Sequence, residues 1–162
     1  ETSTVITYLD AEGNPIILSD GYSIIVRTQV GGRASDDFYY DLNGQQVQCS
    51  GGYYGLHREF NTEGQNTSLT FLDKDGHAVS TSSGYAIKTY QRDLDGTIIG
   101  ERYFDTEEKP VKSSLGQYGE LYQRDAQGHI SQITYLGADG KIVRNTTIDN
   151  KYKVGADGAW VQ

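Results

Sequence analysis

Nine side chains recur on equivalent stretches of this sequence: Arg27; Tyr54 and Arg58; Lys88, Tyr90 and Arg92; Tyr118, Tyr122 and Arg124. Tyrosine rings pack against sugar faces, and Arg or Lys reads phosphate or carboxylate. Aromatic and cationic groups mixed on one side of equivalent strands form a candidate ligand-binding stripe. The competing reading is an ordinary solvated face whose long stems cover apolar surface.

Other residues could do chemistry but lack the company it needs. Aspartates recur at Asp10, Asp41, Asp73 and Asp105. Calcium wants about six to eight oxygens, and each D-x-x-G tetrad offers few, so no metal site is expected. His77 and His129 directly follow turn glycines, where other copies carry Asn, Gln, Lys or Thr. No H-E-x-x-H, Walker loop or G-x-S-x-G appears. Cys49 is the single cysteine and has no counterpart in other copies, so it reads as a small packing residue. No catalytic residue and no cofactor are expected.

The elements that must position the stripe follow from a repeat. The four aspartates stand 31, 32 and 32 residues apart, and a fifth copy has Gly137 in that place. A second marker keeps the same steps: Gly21-Tyr22, Gly52-Tyr53, Gly84-Tyr85, then Gly116-Gln117. Asp opening a type I turn caps it with its side chain, and Gly closing it supplies a positive φ. A second such turn lies inside each unit, as NTEG (61–64), DLDG (93–96) and DAQG (125–128), but the first unit has VGGR (30–33) there. Glu108 replaces the glycine in DTEE and should strain that turn or change its type.

The spacing predicts about three antiparallel strands per unit and no helix. Three short strands cannot bury their own apolar face, so units must stack. The expected fold is therefore all-β: tandem repeats of about 32 residues, each a β-hairpin meander, forming a solenoid or spiralling sheet. A small closed propeller is the alternative. Four to five repeats fill residues 1–148, starting near Tyr8, Tyr39, Phe71, Tyr103 and Tyr135, and residues 149–162 form a C-terminal cap or begin another module. Those five aromatics make a column that is either a ligand ladder or the spine of the core.

The formal charge of -8 disfavours nucleic acid and anionic membrane as general partners. The chain opens on glutamate and has no methionine, which reads as an excised segment or mature fragment. No signal peptide and no membrane-spanning apolar run is present.

The sentences YLDAEGNPI, FYYDLNGQQV, TFLDKDGHAV and YFDTEEKPV resemble YD-type repeats of large bacterial surface and toxin proteins. The Gly-Tyr element and the ending YKVGADGAWV are similar to cell-wall-binding repeats, including the choline-binding kind. The units also resemble repeats attached to bacterial enzymes that build teichoic-acid-like polymers. Choline-binding repeats carry Gly-Trp where this chain has Gly-Tyr, and the one tryptophan here is terminal. The resemblance implies a non-catalytic module that binds a surface glycan or sugar-phosphate polymer. It implies placement at the bacterial cell surface or envelope, or on the cytoplasmic face attached to a polymer-synthesising enzyme, with membrane contact only through an attached domain. The alternative is a structural spacer or protein-interaction array that self-associates through its repeat ends.

Overall fold

The structure, a computed structural model, describes the backbone of residues 1–147, 153–154 and 160–161, and side chains as far as Val143. Most of the expected C-terminal cap lies outside the described residues. The chain is all-β, and no helix among the described residues is long and apolar enough to cross a membrane.

Ten strands form one antiparallel meander. They are β1 (Thr2–Thr7), β2 (Ile24–Val30), β3 (Arg33–Tyr40), β4 (Gly55–Phe60) and β5 (Asn66–Leu72), then β6 (Ile87–Arg92), β7 (Ile98–Phe104), β8 (Gly119–Arg124), β9 (Ile130–Leu136) and β10 (Ile142–Thr147). Their order in the sheet is their order in the chain, with β1 and β10 at the two edges. The sheet is open, which removes the closed propeller. A two-stranded ribbon pairs β11 (Lys153–Val154) with β12 (Trp160–Val161).

Each turn is built as its residues dictate. Asp10 Oδ1 accepts from the amides of Glu12 and Asn14 at 3.0 and 2.9 Å, and the Gly13 amide closes on the Asp10 carbonyl at 3.1 Å. The same bonds recur at Asp41, Asp73, Asp93, Asp105 and Asp125, and at Asn61. These amide donors hold the carboxyls of Asp10, Asp73 and Asp125 below the usual aspartate range. The VGGR turn differs. Gly31 and Gly32 both have positive φ, 59° and 77°, and Val30 pairs directly with Arg33. That is a two-residue type I′ hairpin, and it accounts for the one-residue shortening of the first unit.

Glu108 keeps the turn and takes the strain. Its amide closes on the Asp105 carbonyl at 3.1 Å, and its φ is 63°. It is the one non-glycine with positive φ among the described residues. A left-handed conformation costs an L-residue about 1–2 kcal/mol, part of which glycine returns through its greater unfolded-state freedom. Glu108→Gly should stabilise by about 0.5–1 kcal/mol. Equilibrium denaturation checks this, and a lower midpoint for the variant would refute it.

The third strand expected in each unit shrinks to one bridge: Leu9–Pro15, Tyr40–Gln46, Leu72–Ala78 and Phe104–Pro110. Its neighbours go into a second turn, in which Gly21 closes on Leu18, Gly52 on Cys49, Gly84 on Thr81 and Gly116 on Ser113. Two turns in succession leave too little chain for a ladder. These second turns stack on one another from unit to unit. The amides of Ser50, Ser82 and Ser114 donate to the carbonyls of Asp20, Gly51 and Ser83 at 2.8, 3.0 and 2.8 Å. The folded-back connections lay Tyr22, Val47, Cys49 and Tyr53 onto Ile25, Tyr39 and Leu56 of the sheet, and Leu72, Ala86, Tyr103, Ile133 and Leu136 are buried in later units.

Candidate functional site

Cross-strand partners point to the same side of a sheet. Tyr39 is opposite Ile25, Phe71 opposite Leu56, and Tyr103 opposite Lys88. Arg27 is opposite Asp37, Arg58 opposite Leu69, Tyr90 opposite Glu101, and Tyr122 opposite Ile133. Since Tyr39 and Asp37, Leu56 and Arg58, and Lys88 and Tyr90 are each two apart, the aromatic column and the cationic stripe share one face.

On that face the column does not stand alone. The Gly-Tyr rings insert between its members, giving the continuous series Tyr8, Tyr22, Tyr39, Tyr53, Phe71, Tyr85, Tyr103. Successive centroids are 6.1, 4.5, 5.9, 4.7, 6.1 and 4.5 Å apart. Tyr39 and Tyr103 are 5% and 6% exposed. Burial, with neighbouring acidic groups adding to it, pushes the hydroxyl pKa of both far above the ordinary tyrosine value.

The stripe lies beside this ladder, and most of its members are tied to acids or carbonyls. Asp37, 2% exposed, receives Arg27 through two bonds of 2.7 and 2.8 Å and Arg58 at 2.9 Å. Burial alone would raise the Asp37 pKa, but the two guanidinium partners outweigh it and hold the carboxyl below its usual range. Lys88 Nζ is 3.7 Å from Glu101 and 5.4 Å over the Tyr90 ring. Burial works against its charge, yet Glu101 leaves the lysine pKa raised. Tyr122 donates to Glu120 at 2.9 Å. Arg92 and Arg124 donate to the carbonyls of Gly96 and Gly128 at 2.9 and 3.0 Å, clamping the turns that follow them. Tyr54 is half-buried at the entry to β4, where its amide donates to the Leu72 carbonyl at 2.8 Å.

Tyr118 is placed differently. The ladder stops where the fourth marker carries Gln117 in place of tyrosine. Gln117 is 7% exposed and donates to Glu120 at 2.6 Å, so it fills the position without offering a ring. Beyond it opens a cleft of about 460 Å³ lined by Lys112, Gln117, Tyr118, Tyr135, Leu136 and Val143 among others. Lys112 Nζ stands 5.9 Å over the Tyr118 ring. At this edge Leu115 and Val143 are 81% and 67% exposed. Lys112, Gln117 and Tyr135 were not among the nine. Tyr135 was read as a member of the aromatic column, and the signal for Gln117 was the broken Gly-Tyr marker, which has meaning only once the rings are seen to interleave.

Asp73, Asp75 and His77 bring ligand-type atoms within 4.8 Å of one another. Asp73 Oδ1 already accepts from the amides of Asp75 and His77, each at 2.9 Å, so the cluster is the exposed outcome of one turn.

No curated protein matches the chain. The family model of a choline-binding repeat matches residues 130–160, a stretch that begins in β9 beside Tyr135 and runs through the GADG turn and β10 to Trp160. This stretch is therefore similar to a choline-binding repeat.

Proposed function

We propose that this protein is a non-catalytic repeat module that binds a bacterial surface glycan or sugar-phosphate polymer of the teichoic-acid type. The observation that carries the reading is the cleft at the broken end of the ladder. Tyr118 and Tyr135 offer rings that are not fully enclosed, and Lys112 supplies a cation beside them. Ring faces suit sugars and quaternary ammonium groups, and lysine suits phosphate. The match to a choline-binding repeat falls on this same end. The nine stripe residues extend the face over further units, so that weak contacts act together on a repeating polymer. In this reading residues 1–148 form the repeat array and 149–162 a cap or the start of another module, appended to a polymer-synthesising or cell-surface protein.

Retention on purified cell-wall polymers tests the proposal. Wild type should be retained, and Tyr118→Ala should weaken retention about fivefold to tenfold, as expected for an aromatic contact of about 1 kcal/mol. Competition by free choline would identify the ammonium as the recognised group. No retention on any polymer would sink the reading.

A structural role is the second reading, favoured by the open outer edge of β1. That strand is exposed along almost its whole length, and its Val5 is 65% exposed. Unpaired strand edges template association. A concentration-dependent dimer without polymer retention would select it.

A further inference from the structure

Strands of neighbouring units part early. β3 and β4 pair only over Asp36–Phe38, β5 and β6 over Ser68–Thr70, and β7 and β8 over Gly100–Arg102. Beyond those residues the strands splay, and backbone groups in the gap need other partners. Two gaps are closed by arginine. Arg92 donates to the Asn66 carbonyl at 2.8 and 3.3 Å, and Arg124 approaches the Ile98 carbonyl at 3.5 Å. The residue at the corresponding place of the first gap is Phe60, which has no donor. There a cleft of about 500 Å³ opens, lined by Arg33, Asp36, His57, Arg58, Glu59 and Phe60 among others.

The polar groups of this cleft are unequally spent. Asp36 accepts from Ser35 Oγ at 2.7 Å and lies 2.9 Å from His57 Nδ1. Glu59 reaches His57 only at 4.0 Å, and its side chain is 69% exposed. Arg58 gives Nη2 to Asp37, but its Nη1 is buried with no hydrogen-bond partner. The Arg33 guanidinium lies against Gly64, in the turn that follows β4. A buried donor without an acceptor is expensive, and a guanidinium donor most of all. What is open is therefore donor capacity on arginine beside one aromatic face.

We infer that this cleft is a second ligand site, for a sugar ring bearing a phosphate or carboxylate. The ring lies on Phe60, and the acid group takes the exposed Arg33, with the buried Arg58 Nη1 adding positive charge behind it. The choice of a sugar rests on the polymer-binding reading; the choice of an acid rests on the arginines alone. The site uses residues in the first and second units, far along the sheet order from Tyr118.

Amide chemical-shift perturbation of the whole chain by glucose phosphate, glucuronate, glucose and inorganic phosphate provides the test. The two acidic sugars should perturb the amides of Ser35, Arg58 and Asn61. They should bind about tenfold more tightly than glucose, the weight of one charged hydrogen bond. Whichever acid binds better names the polymer's acid group. Phe60→Arg installs the residue of the other two gaps, so it should abolish the perturbation while keeping or raising Tm. Arg33→Gln, which copies the counterpart Gln65, should lower affinity for the acidic sugars about tenfold and leave glucose unchanged. Equal binding of glucose, equal binding of inorganic phosphate, or unchanged binding in Phe60→Arg would each overturn the inference. Failure of the Tyr118 cleft appears separately, as unchanged polymer retention in Tyr118→Ala.

Discussion

Asp37→Ala should destabilise the protein by about 3–5 kcal/mol, the cost of removing one partner from a buried ionic cluster. Asp37 is 2% exposed and is the shared acceptor of Arg27 and Arg58, whose side chains are 30% and 21% exposed. Its loss leaves two facing cations without a counter-ion. One pair of the cluster, Arg27 with Asp37, ties β2 to β3 through two bonds. The other, Arg58 to Asp37, ties the first unit to the second across the pair β3–β4, which is held by only three residue pairs. The damage should therefore reach across the unit boundary. Urea denaturation measures it, and a loss under about 1 kcal/mol would mean that the arginines turn outward to water instead.

The same cluster sets a pH dependence. The Asp37 pKa is depressed in the folded state, from the ordinary 3.8. A depressed acid contributes its full stabilisation above the unfolded-state pKa and loses it as pH falls through the folded-state value. Wild type should therefore lose stability as pH falls below about 4, and Asp37→Asn should show a shallower acid limb. The repeat supplies its own rescue. Positions equivalent to Arg27, Asp37 and Arg58 carry Tyr122, Ile133 and Tyr90 in later units. Replacing a buried ionic set by packed apolar groups is often neutral, so the combined change Arg27→Tyr, Asp37→Ile and Arg58→Tyr should recover most of the loss.

How far the sequence displays this arrangement depends on distance along the chain. The turns are local and fully legible: Asp10 with Gly13 specifies both capping bonds, and Glu108 shows its strain without any structure. Alternation along each strand sets the stripe on one side of its own strands, but that the column shares this face depends on the cross-strand register. The interleaving of Tyr22, Tyr53 and Tyr85 with the column is not. It requires the connections to fold back over the sheet, which follows from the stacked second turns and not from any strand pattern. The acids that hold the stripe are similarly hidden. Asp37 faces Arg27 only through a register that a bulge at Thr28/Gln29 shifts, and Asp37 meets Arg58 only across a unit boundary. Gln117 is visible as the letter that breaks the Gly-Tyr marker and Tyr135 as the fifth member of the column, but the cleft they line with Lys112 exists because a ring is missing from a ladder that only the fold assembles.

That ladder carries the other large effect. Tyr39→Ala should cost about 3–5 kcal/mol, as removal of a buried aromatic does when its surroundings relax only in part. For a domain of this size the loss corresponds to a fall in Tm of about 10 °C. Tyr39 is stacked 4.5 Å from Tyr22 and lies 5.9 Å edge-on to Tyr53, so its loss leaves rings on both sides without a partner. Tyr103→Phe should cost far less, about 1 kcal/mol, since it keeps the ring and gives up only the 3.2 Å bond to Glu101. The pair Tyr39→Ala and Tyr118→Ala then separates two uses of one residue type. An interior ring cannot receive a ligand that has no path to it, so Tyr39→Ala should lower Tm while polymer retention, measured well below the transition, stays near that of wild type. Tyr118 borders the cleft at the ladder's end, so its replacement should lower retention and barely move Tm. If Tyr39→Ala instead abolished retention at full stability, the ladder would be the ligand platform itself, and the core of this sheet would have to be sought elsewhere.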